Sequence, residues 1–217
     1  MQHPATQRTA SAAPSPAALT QYRARAPHYD HELAPFEPIR TEAIARLRLA
    51  PGETVLDVGC GTGLSLALLQ RGVGRHGRIV AVEPCPEMLG QAAERVARHG
   101  WRNVDLVETT AAGAPLQGYA DAALFHFTHD VLRDEQSIAN VLAHLKPWAR
   151  VVATGLQWAP PWMWPTNGFV LLAALYSVTS LEGLGRPWDK LAARLRRVQV
   201  DTTLMGAIYI CSGVFAG

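Results

Sequence analysis

The chain has little cysteine and no excess of charge of one sign. Its three cysteines, Cys60, Cys85 and Cys211, are scattered over 217 residues and form no CxxC pair. We therefore expect neither a disulfide framework nor a metal site, and the low cysteine content favours a reducing, cytoplasmic location. The 20 basic and 18 acidic side chains give a formal net charge of +2. This balance argues against a nucleic acid as the partner, because such proteins usually carry a clear basic excess.

Long apolar runs are also missing. The longest run, Phe169 to Val178, is interrupted by Tyr176 and Ser177 and is shorter than the roughly 20 residues that span a bilayer. We expect a core or lid helix there, or a surface that contacts lipid or an apolar substrate. Residues 1–20 are rich in Ala, Pro, Ser and Thr and lack the apolar segment of a secretory signal, so they are predicted to be a disordered tail.

What the chain does contain is enough apolar material for one sizeable core, with 48% hydrophobic and 18% charged residues. Short apolar segments alternate with helical patterns from about residue 54 to 156. The predicted strands are Thr54–Val58, Arg78–Val82, Val104–Val107, Ala120–Phe127 and Arg150–Leu156. Near-continuous apolar strands between helices predict a doubly wound, parallel sheet that is covered on both faces.

The last 30 residues follow a different pattern. We predict a helix at Trp188–Arg197 and two strands, Val198–Leu204 and Ala207–Cys211, joined by a turn at Met205 and Gly206. A hairpin there would add an antiparallel strand. The predicted fold class is therefore α/β, a Rossmann-like doubly wound sheet of about seven strands, mostly parallel with an antiparallel C-terminal strand and helices on both faces.

The most informative motif is VLDVGCGTG, residues 55–63. A strand runs into a glycine loop that opens a helix, which places free backbone N–H groups and a positive helix end against a ligand. Gly59 and Gly61 permit close approach to the backbone. Leu64 stands where the dinucleotide motif GxGxxG requires its last glycine, so the loop disfavours NAD.

Two carboxylates refine this prediction. Glu83 ends the second strand, twenty residues after Gly63, where it can accept both hydroxyls of a ribose. Asp57, just before the loop, would repel a diphosphate. The pair suits a nucleoside with a cationic tail that carries no phosphate.

These motifs give the chain a family resemblance. VLDVGCGTG (55–63), VAVEPCPEML (80–89), ADAALFHF (120–127) and LKPWARVVATG (145–155) resemble the class I S-adenosylmethionine-dependent methyltransferases. The resemblance implies S-adenosyl-L-methionine as cofactor and a seven-stranded sheet whose last strand is antiparallel. It also implies a single methyltransferase domain over residues 21–217, with an N-terminal lid at 21–50 and a Trp-rich cap insertion at 157–187.

The resemblance also implies roles for individual residues. The methionine part of the cofactor would lie on the glycine loop and the ribose on Glu83, and the adenine would lie beside residues that follow the second and third strands. Tyr22 and Tyr29 would belong to the lid over the cofactor, although ordinary helix packing explains them equally well. The complete predicted set is Tyr22, Tyr29, Asp57, Gly59, Cys60, Gly61, Glu83, Pro84, Met88, Thr110, Ala111 and His126.

One segment departs from the family pattern. LKPWARVV has Trp148 and Ala149 where the family usually has two glycines. These replacements are tolerable if the turn before the fifth strand needs no positive φ.

Candidates for the chemistry follow the fourth strand. His126 or His129 is a possible general base, oriented by Asp130, at the edge of the sheet where ligands bind. The alternative is that the histidines only bind the cofactor or cap the next helix, with Asp130 as its N-cap.

Substrate candidates are the aromatic residues Trp158, Trp162, Trp164 and Phe169. Aromatic faces suit a flat, apolar or cationic small molecule, or the surface of a membrane; a packed cap without substrate contact is the alternative. The expected function is methyl transfer to N, O or C of a small, apolar or aromatic molecule. The alternatives are a phospholipid or quinone-type lipid methyltransferase, with peripheral lipid contact, and a non-catalytic cofactor-binding subunit. The oligomeric state, monomer or homodimer, stays open.

Overall fold

The computed structural model describes residues 33–177 and 181–217. The predicted tail at residues 1–20, together with Tyr22 and Tyr29, lies outside the described residues. The predicted lid is therefore represented only by its second part, which forms a short 3-10 turn, Ala34–Phe36, and helix α1, Glu37–Arg46.

Seven strands form one sheet. They are β1 (Thr54–Val58), β2 (Arg78–Glu83), β3 (Val104–Glu108), β4 (Ala120–His126), β5 (Leu145–Leu156), β6 (Leu195–Thr203) and β7 (Ile208–Phe215). Their order is β3-β2-β1-β4-β5-β7-β6. The pairs among the first five strands are parallel, whereas β7 runs antiparallel to both β5 and β6. The predicted α/β fold class and the C-terminal hairpin are confirmed.

Helices cover both faces of the sheet. After α1 they are α2 (Leu66–Val73), α3 (Pro86–His99), α4 (His129–Arg133), α5 (Glu135–Ala143), α6 (Trp164–Ser177) and α7 (Asp189–Ala192). Because successive side chains of a strand point to opposite faces, the sheet supports two cores. Val55 and Leu124 pack with α1, α2, α3 and α6 on one face, while Leu56 and Phe125 pack with α4, α5 and α7 on the other. No helix in the described ranges is long and apolar enough to cross a membrane.

The predicted helix at Trp188–Arg197 is wrong over most of its length. Only Asp189–Ala192 is helical, and the chain enters β6 at Leu195. Leu195 pairs with Phe215, and β6 continues along β7 to Thr203. The predicted helix has Asp189 near its start and three arginines near its end, an order of charges that suits a helix. Pairing with β7 overrides this local preference, because strand formation depends on a neighbour that is distant in the sequence.

The condition that would make Trp148 tolerable, a turn without positive φ, is not met. Trp148 has φ +67°, in the left-handed region that favours glycine. It lies in an irregularity of β5: Ala120 and Ala122 pair with Leu145 and Arg150, so four residues stand opposite one. A second irregularity lies in β6, next to Arg197.

Candidate functional site

The candidate site lies at the carboxyl edge of the sheet, at the ends of β1, β2 and β4. The chain continues from β1 to one side and later returns to its other side, so β1 marks the point where strand order reverses. Open α/β sheets bind ligands in the crevice at such a point. A pocket there is lined by Leu33 and Arg40 from the N-terminal segment, by Asp57 and the glycine loop, and by His126 and Phe127.

The glycine loop is held against β2 by its own backbone. The N–H groups of Gly59 and Cys60 both donate to the carbonyl of Val82, at 2.8 and 3.0 Å. Gly59 has φ +73°, and a Cβ there would lie 2.5 Å from the Cγ2 of Thr128. Only glycine satisfies both conditions, so the loop keeps its backbone close to the pocket.

Glu83 is a buried carboxylate with two backbone donors. Its Oε2 accepts the N–H of Gly61 at 3.0 Å, and its Oε1 accepts the N–H of Cys85 at 2.9 Å. Burial raises the pKa of Glu83, and these two hydrogen bonds oppose the rise. A carboxylate has about four acceptor positions, so Glu83 can hold the glycine loop and still accept from two ribose hydroxyls.

Asp57 lies at the floor of the same pocket. Burial is the main cause that raises its pKa to about 7; Glu83 also raises it, and Arg40 lowers it. Its Oδ2 has no hydrogen-bond partner in the described part of the chain. A cationic group that entered the pocket would meet an acceptor that titrates near neutral pH.

Sequence reasoning missed Arg40. Its side chain is only 2% exposed, it forms an ion pair with Glu37, and its Nε has no partner among the described residues. Helical spacing gives the signal that could have found it, since Arg40 lies on the same face of α1 as the buried residues Ala43, Ile44 and Leu47. A buried guanidinium beside an unpaired carboxylate suits a ligand that carries both an ammonium and a carboxylate group.

His126 lines the pocket with both ring nitrogens buried and unpaired in the described structure. Burial lowers the pKa of His126 well below its usual value, and the charge of Arg40 lowers it further. The imidazole is therefore neutral at pH 7, and its proton affinity is too low for a strong general base.

His129 and Asp130 do not join His126 in the pocket lining. His129 is buried on α4, and its Nε2 lies 3.1 Å from the carbonyl oxygen of Glu182; burial lowers its pKa. Asp130 lies in the first turn of α4, whose N-cap is Thr128, so the N-cap interpretation of Asp130 is wrong. His129 connects α4 to the segment after α6.

The predicted adenine contacts follow β2 and β3, which pair side by side. Met88 is buried in the first turn of α3, and Pro84 is half-buried directly after Glu83. Thr110 is half-buried, and its Oγ1 accepts the N–H of Gly113 at 3.3 Å. Ala111 is buried in the core. Their binding roles stay predictions.

The four aromatic residues predicted to contact substrate lie partly in a groove and partly on α6. Trp158 and Trp162 line a groove of about 750 Å³ together with Met163 and Met205. Trp164 and Phe169 lie on α6, and Trp164 is 76% exposed. Their contact with a substrate stays a prediction.

The side chains at this pocket suit the chemical groups of the cofactor that the resemblance implies, although the cavity itself measures only about 20 Å³. Polar atoms of Arg40, Asp57, His126 and Thr128 are buried and unpaired in the described ranges, and buried polar groups normally require partners. Arg40 and Asp57 suit the two charged groups of a methionine tail, and Glu83 suits a ribose. S-adenosylmethionine, when bound, supplies a methyl group on a cationic sulfur.

Comparisons with known proteins support the resemblance. Residues 55–148 match the model of a family described as "Methyltransferase domain". The N-methyltransferase NodS from Bradyrhizobium japonicum, solved with S-adenosyl-L-homocysteine, superposes with a TM-score of 0.67 at 17% identity over 92% of this chain and 100% of that one. Residues 55–148 therefore match a methyltransferase domain, and the sheet has the Rossmann-like fold of solved S-adenosylmethionine-dependent methyltransferases. S-adenosylmethionine is the cofactor of the family.

Curated relatives of this methyltransferase domain act on different substrates. An arsenite methyltransferase from Halobacterium salinarum is 44% identical over 57 residues, which are 26% of this chain and 15% of that protein. A demethylmenaquinone methyltransferase from Alkalihalophilus pseudofirmus is 31% identical over 119 residues, 54% of this chain and 47% of that protein. The chain thus spans less than half the length of either relative.

Proposed function

We propose that this protein transfers a methyl group from S-adenosylmethionine to a small, apolar or aromatic molecule. The observation that carries the proposal is the pocket at the reversal of strand order. There Asp57 and Arg40 line one pocket and offer an acceptor and a cation. Glu83, buried at the end of β2 and hydrogen-bonded to Gly61 of the glycine loop, offers the ribose acceptor next to it. Phe36 and Phe127, whose ring centres are 5.7 Å apart, add an apolar wall, because Phe127 also lines the pocket.

The nucleophile belongs to a class that needs no strong base. His126 lines the pocket, but burial and Arg40 hold its pKa well below the usual value. His129 is hydrogen-bonded to the backbone of Glu182. What remains for the protein is to align the acceptor with the methyl group and exclude water. An amine or another atom with a free lone pair at neutral pH meets this condition.

The experiment is calorimetry with S-adenosylmethionine followed by turnover on a substrate panel. Asp57→Ala and Glu83→Ala should each weaken cofactor binding, and Asp105→Ala, an exposed carboxylate on β3, is the matched control. Full affinity in both pocket variants would contradict the proposed site. Cofactor binding without turnover on amines, phenols and quinones would favour the non-catalytic alternative.

An apolar surface favours a lipid as the second candidate substrate. Trp162 is 77% exposed, and Phe169, Leu172 and Leu175 on α6 are exposed as well. Aromatic and aliphatic side chains of this kind partition into the boundary of a bilayer. A short-chain hydroquinone presented in phosphatidylcholine vesicles tests it: turnover should rise when vesicles are present. Leu172→Gln should remove that increase, and Leu204→Gln, exposed on the 3-10 turn before β7, should keep it. Equal rates with and without vesicles would count against the lipid.

A further inference from the structure

A groove of about 1020 Å³ lies at the amino-terminal edge of the sheet, the edge opposite to Asp57 and Glu83. It is formed by the second half of α1, the start of β5, the start of β6 and the end of β7. Four arginines and a tryptophan line it: Arg46, Arg48, Trp148, Arg150 and Arg197. We call it the arginine groove.

The backbone of the groove departs from regular strand geometry at Trp148 and Arg197, whose side chains lie next to each other. Trp148 has φ +67° and Arg197 has φ +52°, and each lies in an irregularity of its strand. The two strands flank β7, and the guanidinium carbon of Arg197 lies 5.8 Å from the centre of the Trp148 ring. Bulges turn side chains in new directions, and strained backbone concentrates at functional sites.

Core packing does not explain this arrangement. Trp148 is 57% exposed, and Arg197 is exposed as well. An aromatic ring and a guanidinium stacked in the open form a platform onto which a further flat ring can stack.

The charge of the groove is only half compensated. Arg46 pairs with Glu42 at 2.5 Å, and Arg150 pairs with Glu53 at 2.7 Å. Within residues 33–177 and 181–217, no carboxylate pairs with the side chain of Arg48 or Arg197. Two guanidinium groups without a carboxylate partner in those ranges therefore line the same groove as Trp148, and guanidinium groups bind phosphate in a bidentate manner.

We propose that the arginine groove binds a nucleoside phosphate, with the base stacked on Trp148 and the phosphate held by Arg48 and Arg197. A free nucleotide and a unit of a single-stranded nucleic acid share this chemistry. The net charge of +2 argues against a protein that is basic throughout, but it does not describe this local cluster. An acidic peptide offers carboxylates but no flat ring, so it would contact the arginines and leave Trp148 without a stacking partner.

The test is calorimetric titration with GMP in the presence of S-adenosylhomocysteine, which keeps the nucleotide out of the cofactor pocket. Binding should be saturable at low salt and should weaken as salt is added. Guanosine and inorganic phosphate should each bind at least about tenfold more weakly than GMP, because each lacks one of the two contacts.

Variants distinguish GMP binding in the arginine groove from nonspecific binding elsewhere on the surface. Trp148→Gly should weaken GMP binding by about tenfold, and Arg197→Gln should weaken it and reduce its salt dependence. The matched controls are Trp162→Ala and Arg186→Gln, an exposed tryptophan and an exposed arginine away from the groove. Both controls should keep the wild-type affinity. Melting curves of all four variants check that each is folded.

The remaining probes decide the source of the ligand. A uridine oligonucleotide that binds more tightly than GMP, and depends on Trp148, identifies single-stranded nucleic acid; GMP binding alone identifies a free nucleotide. Three results would overturn the proposal: no saturable binding up to about 1 mM GMP, equal binding of GMP and inorganic phosphate, or equal binding of GMP and an oligoglutamate peptide.

Discussion

Lowering the pH should release S-adenosylmethionine from this protein, and Asp57 is the group that we expect to respond. Its carboxyl is buried, and its pKa is raised to about 7 in the free protein. In the proposed site the ammonium group of the cofactor binds the ionised carboxylate, so we expect the apparent affinity to follow the ionised fraction. With a pKa of about 7, affinity falls about tenfold by about pH 6 and about a hundredfold by about pH 5.

The same shift has a consequence for the stability of the free protein. Because the folded pKa lies above the unfolded value of 3.8, protonation favours the folded state. The contribution of the protonated Asp57 carboxyl to the free energy of unfolding is fully present below about pH 4 and is lost as the pH rises through about 7. A change from 3.8 to about 7 corresponds to about 4 kcal/mol.

Asp57→Asn isolates both effects, since the amide resembles the protonated carboxyl at every pH. Calorimetry from about pH 5 to about pH 7.5 should show weak binding in this variant, with most of the pH dependence removed. In urea unfolding, the free energy of unfolding of the variant should increase relative to that of the wild type as the pH rises. Glu83 also has a raised pKa, and we expect its titration to cause the pH dependence of cofactor affinity that remains in the variant. Identical pH profiles of affinity in the variant and the wild type would refute the reasoning.

Three further predictions concern single residues. Arg40→Met should weaken S-adenosylmethionine binding at least about tenfold by calorimetry, and because Arg40 lowers the pKa of Asp57, it should move the midpoint of the pH profile upward. Trp148→Gly should be more stable to urea than Trp148→Ala by about 1 kcal/mol, since only the alanine keeps the strain of φ +67°; equal midpoints would contradict the strain. Asp134 caps α5 by accepting the N–H groups of Gln136 and Ser137, so Asp134→Ala should cost about 1 kcal/mol in urea unfolding. An equal loss in the control Glu135→Ala would argue against the cap.

Much of the sheet could be predicted because its signals are local. Apolar segments such as Thr54–Val58 and the glycines that follow are consecutive in the chain, and predicted and observed bounds agree there. Pro86–His99 begins with proline and is followed by Gly100 at φ +66°, which is the expected order of helix signals. In contrast, charge placement favoured a helix at Leu195–Arg197, where the partner strand β7 decides the conformation.

The candidate site divides in the same way. Asp57 and Glu83 lie at the ends of β1 and β2, and the glycine loop follows β1. Parallel strands bring their carboxyl ends to one edge, so the sequence by itself predicted the group. Arg40 enters the pocket from α1, and its place depends on how that helix packs against the sheet. Its helical spacing shows only that it lies on a buried face.

The amino-acid sequence alone determined the strands that adjoin the glycine loop, the loop itself and the class of cofactor, because each depends on residues that are neighbours in the chain. Only the tertiary structure decided that Arg40 lies beside Asp57, that His126 is buried beside a cation, and that Trp148 meets Arg197 at a strained turn. The physical reason is that charge, burial and strain depend on contacts between distant segments. Helical periodicity in the sequence shows which face of a helix is buried, but it does not identify the residues of other segments that pack against that face.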